Sequence, residues 1–307
     1  MDYSNYYKQE AIKANKKIND YLGVTSWVSQ YGLSDKPICV IEKNNVSDLH
    51  NDIINNATGT HKKGHADKTV SILKHTNNPS SIHLFCHDQT KRIDIYKYCV
   101  DNGIKIVTES TSFNSYSKEN VEADKWAVEN GIMLFTSSGN KGQNTHDNRA
   151  EFNNHYEVGA YALENDKLVY RTYSSTSEYV DFAGLVGRKV SFTDKDNKLR
   201  KNAPYEGTSE ATPCIAGVVS MLEHRLSIEY ENYTTKDLYD YILENTYDTG
   251  DSNMRDGKGI ILLPLSNKDE WKYVNHHAIE MFKPSGERTY VIDMEVELRL
   301  REGYILI

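Results

Sequence analysis

A three-layer α/β domain with a mainly parallel central sheet is the fold the sequence predicts, and three observations predict it. Between residues 38 and 230, short apolar runs recur; longer segments of helical spacing separate them; polar turns and glycine stops punctuate both. A run apolar at every position is buried on both faces, the condition of a strand in a parallel sheet covered by helices. Strand, helix and strand in repetition build right-handed crossovers, and such sheets bind ligands beyond the carboxyl ends of their strands.

The elements follow in order. Tyr7, Ala11, Ile18 and Leu22 share one stripe and predict an N-terminal helix stopped at Gly23. The strands expected next are ICVI at 38–41, IHLFC at 82–86, IKIVT at 104–108, IMLFT at 132–136 and YEVGA at 156–160. Helical stripes lie between them: Ala66, Val70 and Leu73; Ile93, Tyr96 and Val100; then Val121, Trp126 and Val128. DNG at 101–103 and ENG at 129–131 close the last two, each glycine able to take the left-handed stop. DLYDYILEN at 237–245 predicts a closing helix and GKGIILLPL at 257–265 a last apolar strand. Beyond Leu265, Met294, Val296, Leu298 and Leu300 alternate with Glu295, Glu297, Arg299 and Arg301, the period of a half-buried antiparallel strand. The expected division is an N-terminal helix at 1–23, a main domain at 24–265 and a β-rich C-terminal extension at 266–307.

Composition narrows the class. The 307 residues are 38% hydrophobic and 26% charged, a globular balance, and a net charge of −8 without a basic run argues against a nucleic-acid partner. No stretch approaches the ~18 apolar residues of a membrane span, and the first residues lack a secretory pattern, so a cytoplasmic location is expected. The four cysteines, Cys39, Cys86, Cys99 and Cys214, are scattered through apolar runs and read as reduced core residues. Oligomeric state is not legible.

The chemistry concentrates in YEGTSEATPCIAGVVSMLEHRL at 205–226. A small-residue turn delivers Ser209 to the start of a helix whose first turn is expected to hold Pro213, where a missing N–H costs nothing. At a helix N-terminus a serine is ordinarily a cap, but its oxygen also sits in a positive local field that favours a nucleophile. Gly207, Thr208, Ser209, Ala211, Thr212, Pro213, Ala216 and Gly217 reproduce the motif G-T-S-x-A-T-P-x-x-A-G. On this stretch the chain resembles the subtilisin-like serine proteases, the subtilases.

That resemblance implies a subtilisin-like fold, peptide-bond hydrolysis through an acyl-enzyme on Ser209 and a polypeptide substrate; no cofactor or metal site is expected, and calcium dependence is not legible. It also implies three upstream sites in fixed order. IMLFTSSGNKG opens from a buried strand through Ser137, Ser138 and Gly139 to Asn140, matching the family's oxyanion-hole asparagine with serines for alanines. GHADKTVSIL places His65, Ala66, Ser71 and Ile72 like the family's base helix, making His65 the matched general base. His61 competes through GTH at 59–61, but no apolar stripe follows it in register. Although His61 and His65 have the i, i+4 spacing of a zinc helix, Lys62 stands where the catalytic glutamate would be. The orienting acid matches Glu42 at the end of Val40-Ile41, where the family usually has aspartate followed two residues on by glycine. The carboxylate is one methylene longer here and that glycine is missing.

KIVTESTSF follows its strand as the family's substrate edge does, giving Ser110, Thr111 and Ser112 as residues pairing with an extended substrate, beside Ser137, Ser138 and Gly139. YEVGAYA and Tyr173, Ser174 and Ser175 echo further family segments, so the resemblance runs from about Val24 to Leu265. Asp147 and Glu151 lie in the loop expected to floor the specificity pocket. Neither a removable propeptide nor a calcium-loop signature is evident before Glu42, so an intracellular member is expected. The departure at Glu42 leaves a second expectation open, a catalytically silent scaffold that binds peptide or protein partners. Were Glu42 not the acid, Asp67 and Asp48 are the nearest substitutes in sequence.

Overall fold

A computed structural model describes residues 3–57, 64–77, 79, 81–111, 116–142, 155–194, 196 and 198–264, with backbone alone for 3–10, 278–282, 288–292 and 305–306. The chain opens with helices α1 (Tyr3–Tyr21) and α2 (Val24–Tyr31), then β1 (Ile38–Glu42), β2 (Ile54–Asn55), α3 (His65–Thr76), β3 (Ile82–Cys86), α4 (Arg92–Asp101) and β4 (Ile106–Glu109). It continues through α5 (Lys118–Glu129), β5 (Met133–Ser137), β6 (His155–Glu164), β7 (Lys167–Tyr170), β8 (Val180–Val186), β9 (Lys189–Thr193) and β10 (Leu199–Pro204). Next come α6 (Thr208–Glu229), α7 (Thr235–Glu244), β11 (Thr246–Tyr247), α8 (Asn253–Asp256) and β12 (Ile260–Ile261), and last β13 (Ala278–Phe282), β14 (Arg288–Ile292) and β15 (Ile305–Leu306).

The central sheet runs β11-β12-β8-β6-β5-β4-β1-β3-β2, with β7 hung antiparallel on β6. Its interior pairs are parallel, from β3 through β1, β4, β5 and β6 to β8, and only β11 against β12 and β7 against β6 reverse. Strand β1 lies between β3 and β4, so the chain leaves it to one side and returns on the other. This is a topological switch point, where an open α/β sheet parts its crossovers and leaves a crevice.

Strand periodicity decides which layer each side chain enters. Ile38 and Val40 pack into the large core shared with α3 and α6, whereas Cys39 and Ile41 point to the opposite core with α4 and α5. The next residue in step with Ile38 and Val40 is Glu42, which therefore faces the layer that carries α3 and α6. Helix α6 is buried along most of its length, including Ala211, Ala216, Gly217 and Ser220.

Several expectations need correction. The stripe of α4 is Ile95, Tyr96 and Cys99, while Val100 is 41% exposed. In α5 the buried residues are Ala123, Asp124 and Ala127, with Trp126 and Val128 only half-buried. The physical reason is shared: Asp124 goes inside because Tyr96 and Tyr116 donate to it at 2.6 and 2.8 Å, and the alanines beside it allow the close approach. The stop at Gly23 is present with φ 78°, but α2 starts at once behind it and buries Trp27. Of the described part of GKGIILLPL, Ile260 and Ile261 form the strand, and Leu263 turns to donate its N–H to the Leu22 carbonyl. Pro213 is the sixth residue of α6, in its second turn. The β9–β10 hairpin was not foreseen. The alternating segment at 294–300 lies outside the described residues, as do His61, Ser112, Asp147 and Glu151. Near the C-terminus the described backbone forms a three-stranded antiparallel sheet, β14-β13-β15.

Candidate active site

Glu42 ends β1 with no exposed surface, and His65 opens α3 above it. The helix can begin there because Gly64 takes the left-handed conformation at φ 64°, pressed so closely on β9 that an added Cβ would lie 2.0 Å from the Thr193 carbonyl oxygen. The imidazole Nδ1 stands 3.0 and 2.9 Å from the two Glu42 carboxylate oxygens. One turn along the same helix, the Thr69 hydroxyl donates to Glu42 Oε1 at 2.6 Å. The adjacent carboxylate raises the His65 pKa above its ordinary value, against the opposing effect of burial. Bonding through Nδ1–H fixes the tautomer that leaves a lone pair on Nε2. That lone pair meets the Tyr205 hydroxyl at 3.1 Å.

Asp67 is also buried, but it braces structure: it accepts from the Ser47 N–H and hydroxyl, both at 2.7 Å, and from the Thr193 N–H at 2.9 Å. Asp48 is exposed in a short 3₁₀ turn. Of the three acids, Glu42 is the one the fold brings to His65.

Ser209 is the second residue of α6. Its hydroxyl donates to the Ser110 carbonyl at 3.1 Å, and the Ser110 hydroxyl donates back to the Ser209 carbonyl at 3.1 Å. Pro213 accounts for the second bond. It has no N–H for the carbonyl four residues back, which is that of Ser209, and the Ser110 hydroxyl fills the vacancy. Asn140 leaves β5 through Ser137, Ser138 and Gly139, and its Oδ1 accepts from the Thr208 N–H at 2.9 Å and the Thr208 hydroxyl at 3.2 Å. This turns the amide Nδ2 away from Thr208, and no described residue accepts from it. Gly139, at φ 101°, lies under Ser175, whose N–H donates to the Gly139 carbonyl at 2.8 Å. Ser137 and Ser138 are buried, with the Ser138 N–H on the Val158 carbonyl at 3.1 Å.

The edge at Ser110 is held from behind. Glu109 takes a two-pronged bond from Arg92, 2.8 Å on each oxygen, and accepts the Thr111 hydroxyl at 3.1 Å. Both ionic partners are buried, and Arg92 continues to Tyr96, which donates to Asp124. Such a pair fixes geometry more than it adds stability.

Residues 35–259 match the family model described as the subtilase family, a family of serine peptidases. The chain belongs to the subtilase family. Similar solved structures include a lanthipeptide protease, 16% identical with a TM-score of 0.61 over 80% of this chain and 93% of that one. Another is the psychrophilic subtilisin-like protease Apa1 of the Antarctic psychrotroph Pseudoalteromonas sp. AS-11, 12% identical with a TM-score of 0.61, covering 80% and 95%. The prenylagaramide maturation protease PagA is similar at 16% identity and a TM-score of 0.57, covering 78% and 95%. At these identities the likeness establishes the fold, which is subtilisin-like. No curated protein matches the sequence.

Three side chains at the centre of this subtilase were not singled out from sequence. Thr69 was legible in principle, being four residues after His65 and so on the same helical face. Tyr205 opens the quoted stretch at 205–226, ahead of the motif itself, but only the hairpin that leads into it shows where its ring goes. Glu210, next to Ser209, is wholly buried, and burial pushes its carboxyl up to about 8 despite bonds from the Gly187 and Arg188 N–H groups at 3.0 and 2.8 Å. Among the described residues, no three His, Cys, Asp or Glu side chains converge to hold a metal, and no helix is long and apolar enough to cross a membrane.

Proposed function

We propose that this subtilase is an active serine endopeptidase working by acyl transfer on polypeptide substrates, with its machinery inside residues 24–265. The observation that carries the reading is the contact of Glu42 with His65 Nδ1 at 2.9 Å, because a triad base needs a buried anion at hydrogen-bond distance rather than an aspartate as such. Ser209 attacks the scissile carbonyl while Nε2 of His65 takes its proton. The same proton passes to the leaving amine, and water repeats the sequence to release the acid. Glu42 holds the tautomer and stabilises the imidazolium. Nδ2 of Asn140 and the Ser209 N–H are the donors for the oxyanion, in a helix-terminal field that already favours negative charge. An extended peptide pairs with the edge at Ser110 and Thr111, continuing to Ser112, opposite Ser137, Ser138 and Gly139. The proposed setting is a cytoplasm, with neither nucleic acid nor membrane as partner.

The alternative is a silent scaffold that binds peptide through the same cleft. What favours it is that the Ser209 hydroxyl is bonded to the Ser110 carbonyl and that Nε2 is already occupied by Tyr205. A fluorophosphonate probe decides between the two. Labelling of the wild type, lost in Ser209→Ala, is the expected result; a folded wild type that takes no label sinks the enzyme reading.

A further inference from the structure

The base and the substrate edge are both occupied by side chains of the chain itself. On one side, the Tyr205 hydroxyl lies 3.1 Å from His65 Nε2, its ring edge-on to the imidazole with centroids 6.1 Å apart. On the other, the Ser209 hydroxyl is spent on the Ser110 carbonyl at 3.1 Å, an acceptor that an incoming peptide N–H would need. Neither contact is compatible with the reaction proposed above. The lone pair that must receive the serine proton is receiving the phenol's, and the oxygen that must attack is turned toward the edge.

Tyr205 is held there by more than this bond. It is 7% exposed, its N–H donates to the Arg188 carbonyl at 3.2 Å, and the Lys68 ammonium lies 5.0 Å from its ring centre and 4.3 Å from that of Phe192. Burial, with Glu42 nearby, keeps the phenol protonated and so a donor. The Ser209 and Thr69 hydroxyls are near enough to act on it. The charged and titratable groups around this hydroxyl are Glu42 from β1, His65 and Lys68 from α3, and Glu210 from α6. Behind it, Glu206 is exposed, and Gly207, at φ 132°, is tied by its N–H to the Tyr173 hydroxyl at 3.0 Å.

We propose that Tyr205 is a further residue of the catalytic centre: its hydroxyl holds the base in a resting state and must leave Nε2 before Ser209 can be deprotonated. The proposal rests on the protease reading and predicts its own signature. In the resting state the phenol stabilises neutral imidazole, since an imidazolium has no lone pair to offer it. Removing the hydroxyl therefore does two things at once, exposing the base to Ser209 and making His65 easier to protonate.

The test compares wild type, Tyr205→Phe and Ser209→Ala in fluorophosphonate labelling rate across pH, with the His65 titration followed by NMR and folding checked by Tm. Phenylalanine keeps the ring over Lys68 and deletes only the hydroxyl. Tyr205→Phe is expected to label about 2- to 10-fold faster on the alkaline plateau, the worth of one neutral hydrogen bond. Its His65 titration and the acid limb of its profile should both move up by about 0.3 to 1 pH unit, the same free energy read as protonation. Labelling that is unchanged or slower in a folded Tyr205→Phe overturns the resting-state role while leaving the protease reading intact. If neither folded protein labels, the protease reading falls and takes the proposal with it.

Discussion

Glu42→Asp installs the acid subtilases usually carry at the end of the first core strand, yet in this chain it is expected to slow the reaction. The carboxylate now reaches Nδ1 at 2.9 and 3.0 Å from a strand whose backbone is fixed by β3 on one side and β4 on the other. Removing one methylene withdraws it by about 1.5 Å, a single C–C bond, so with the backbone held the separation grows to roughly 4.4 Å, beyond a hydrogen bond. At an effective dielectric constant of ~20, the attraction between imidazolium and carboxylate falls from about 6 to about 4 kcal/mol. Losing about 2 kcal/mol of transition-state stabilisation slows kcat roughly 30-fold. The bond from Thr69 stretches with it, so about 10- to 100-fold is expected, with KM little changed, because no group that would bind the peptide has moved. Glu42→Gln, which keeps the length and deletes the charge, should cost more, on the order of 10⁴ as for amidation of a triad acid. Steady-state kinetics on a chromogenic peptide gives both numbers. The pH profile adds a third: the carboxylate that raises the His65 pKa is now farther away, so the acid limb should move down. A Glu42→Asp variant as fast as wild type would refute the argument, since the strand would then not be fixing the acid's reach.

Two further outcomes follow from the same neighbourhood. Thr69→Val removes one of the two described donors to a buried carboxylate, which should lower stability by about 1.5–3 kcal/mol and move the acid limb of kcat/KM upward as Glu42 leans on the imidazolium alone; Thr69→Ser should restore both, and an unchanged Tm and profile in Thr69→Val would exclude a positioning role. Glu210 binds its proton more tightly folded than unfolded, so its neutral form is favoured and stability is lost as pH rises from about 4.5 to about 8. Thermal melts between pH 5 and 9 should show wild type losing up to roughly 4–5 kcal/mol relative to Glu210→Gln across that window, and parallel Tm curves would show that Glu210 is not titrating there.

Much of the framework is legible from strand burial alone. ICVI is apolar at every position, and IHLFC and IMLFT at all but one, because each has a helix layer on both faces, and the glycines of DNG and ENG mark where the helices stop. Legibility fails where polar groups are buried in partnership. Asp124 looks like a surface residue until Tyr96 and Tyr116 are seen to donate to it, and the stripe of α5 is displaced accordingly. The β9–β10 hairpin was missed for a related reason: its residues are mostly half-buried or exposed and carry no strong alternation, and its place comes from contacts with α1 and α3 rather than from its own pattern.

The site divides along the same line. Ser209, Asn140 and His65 are readable because each sits at an element's end where the local chemistry is unusual: a serine after glycine and threonine, an asparagine after small residues, a histidine opening a helix. Glu42 is readable because strand alternation from Ile38 and Val40 gives it a face. What no local pattern contains is the relation between these ends. That Tyr205 meets Nε2 depends on a hairpin joined to α3 by the Thr193 N–H on Asp67, and on an α6 that must start where Asn140 captures the Thr208 N–H. Whether the base is open or occupied is thus a property of how three separately specified segments meet, and it turns on a hydroxyl 3.1 Å from the ring rather than on any member of the motif. A subtilase sequence with every residue of the motif in place therefore does not by itself specify the contacts that those residues make.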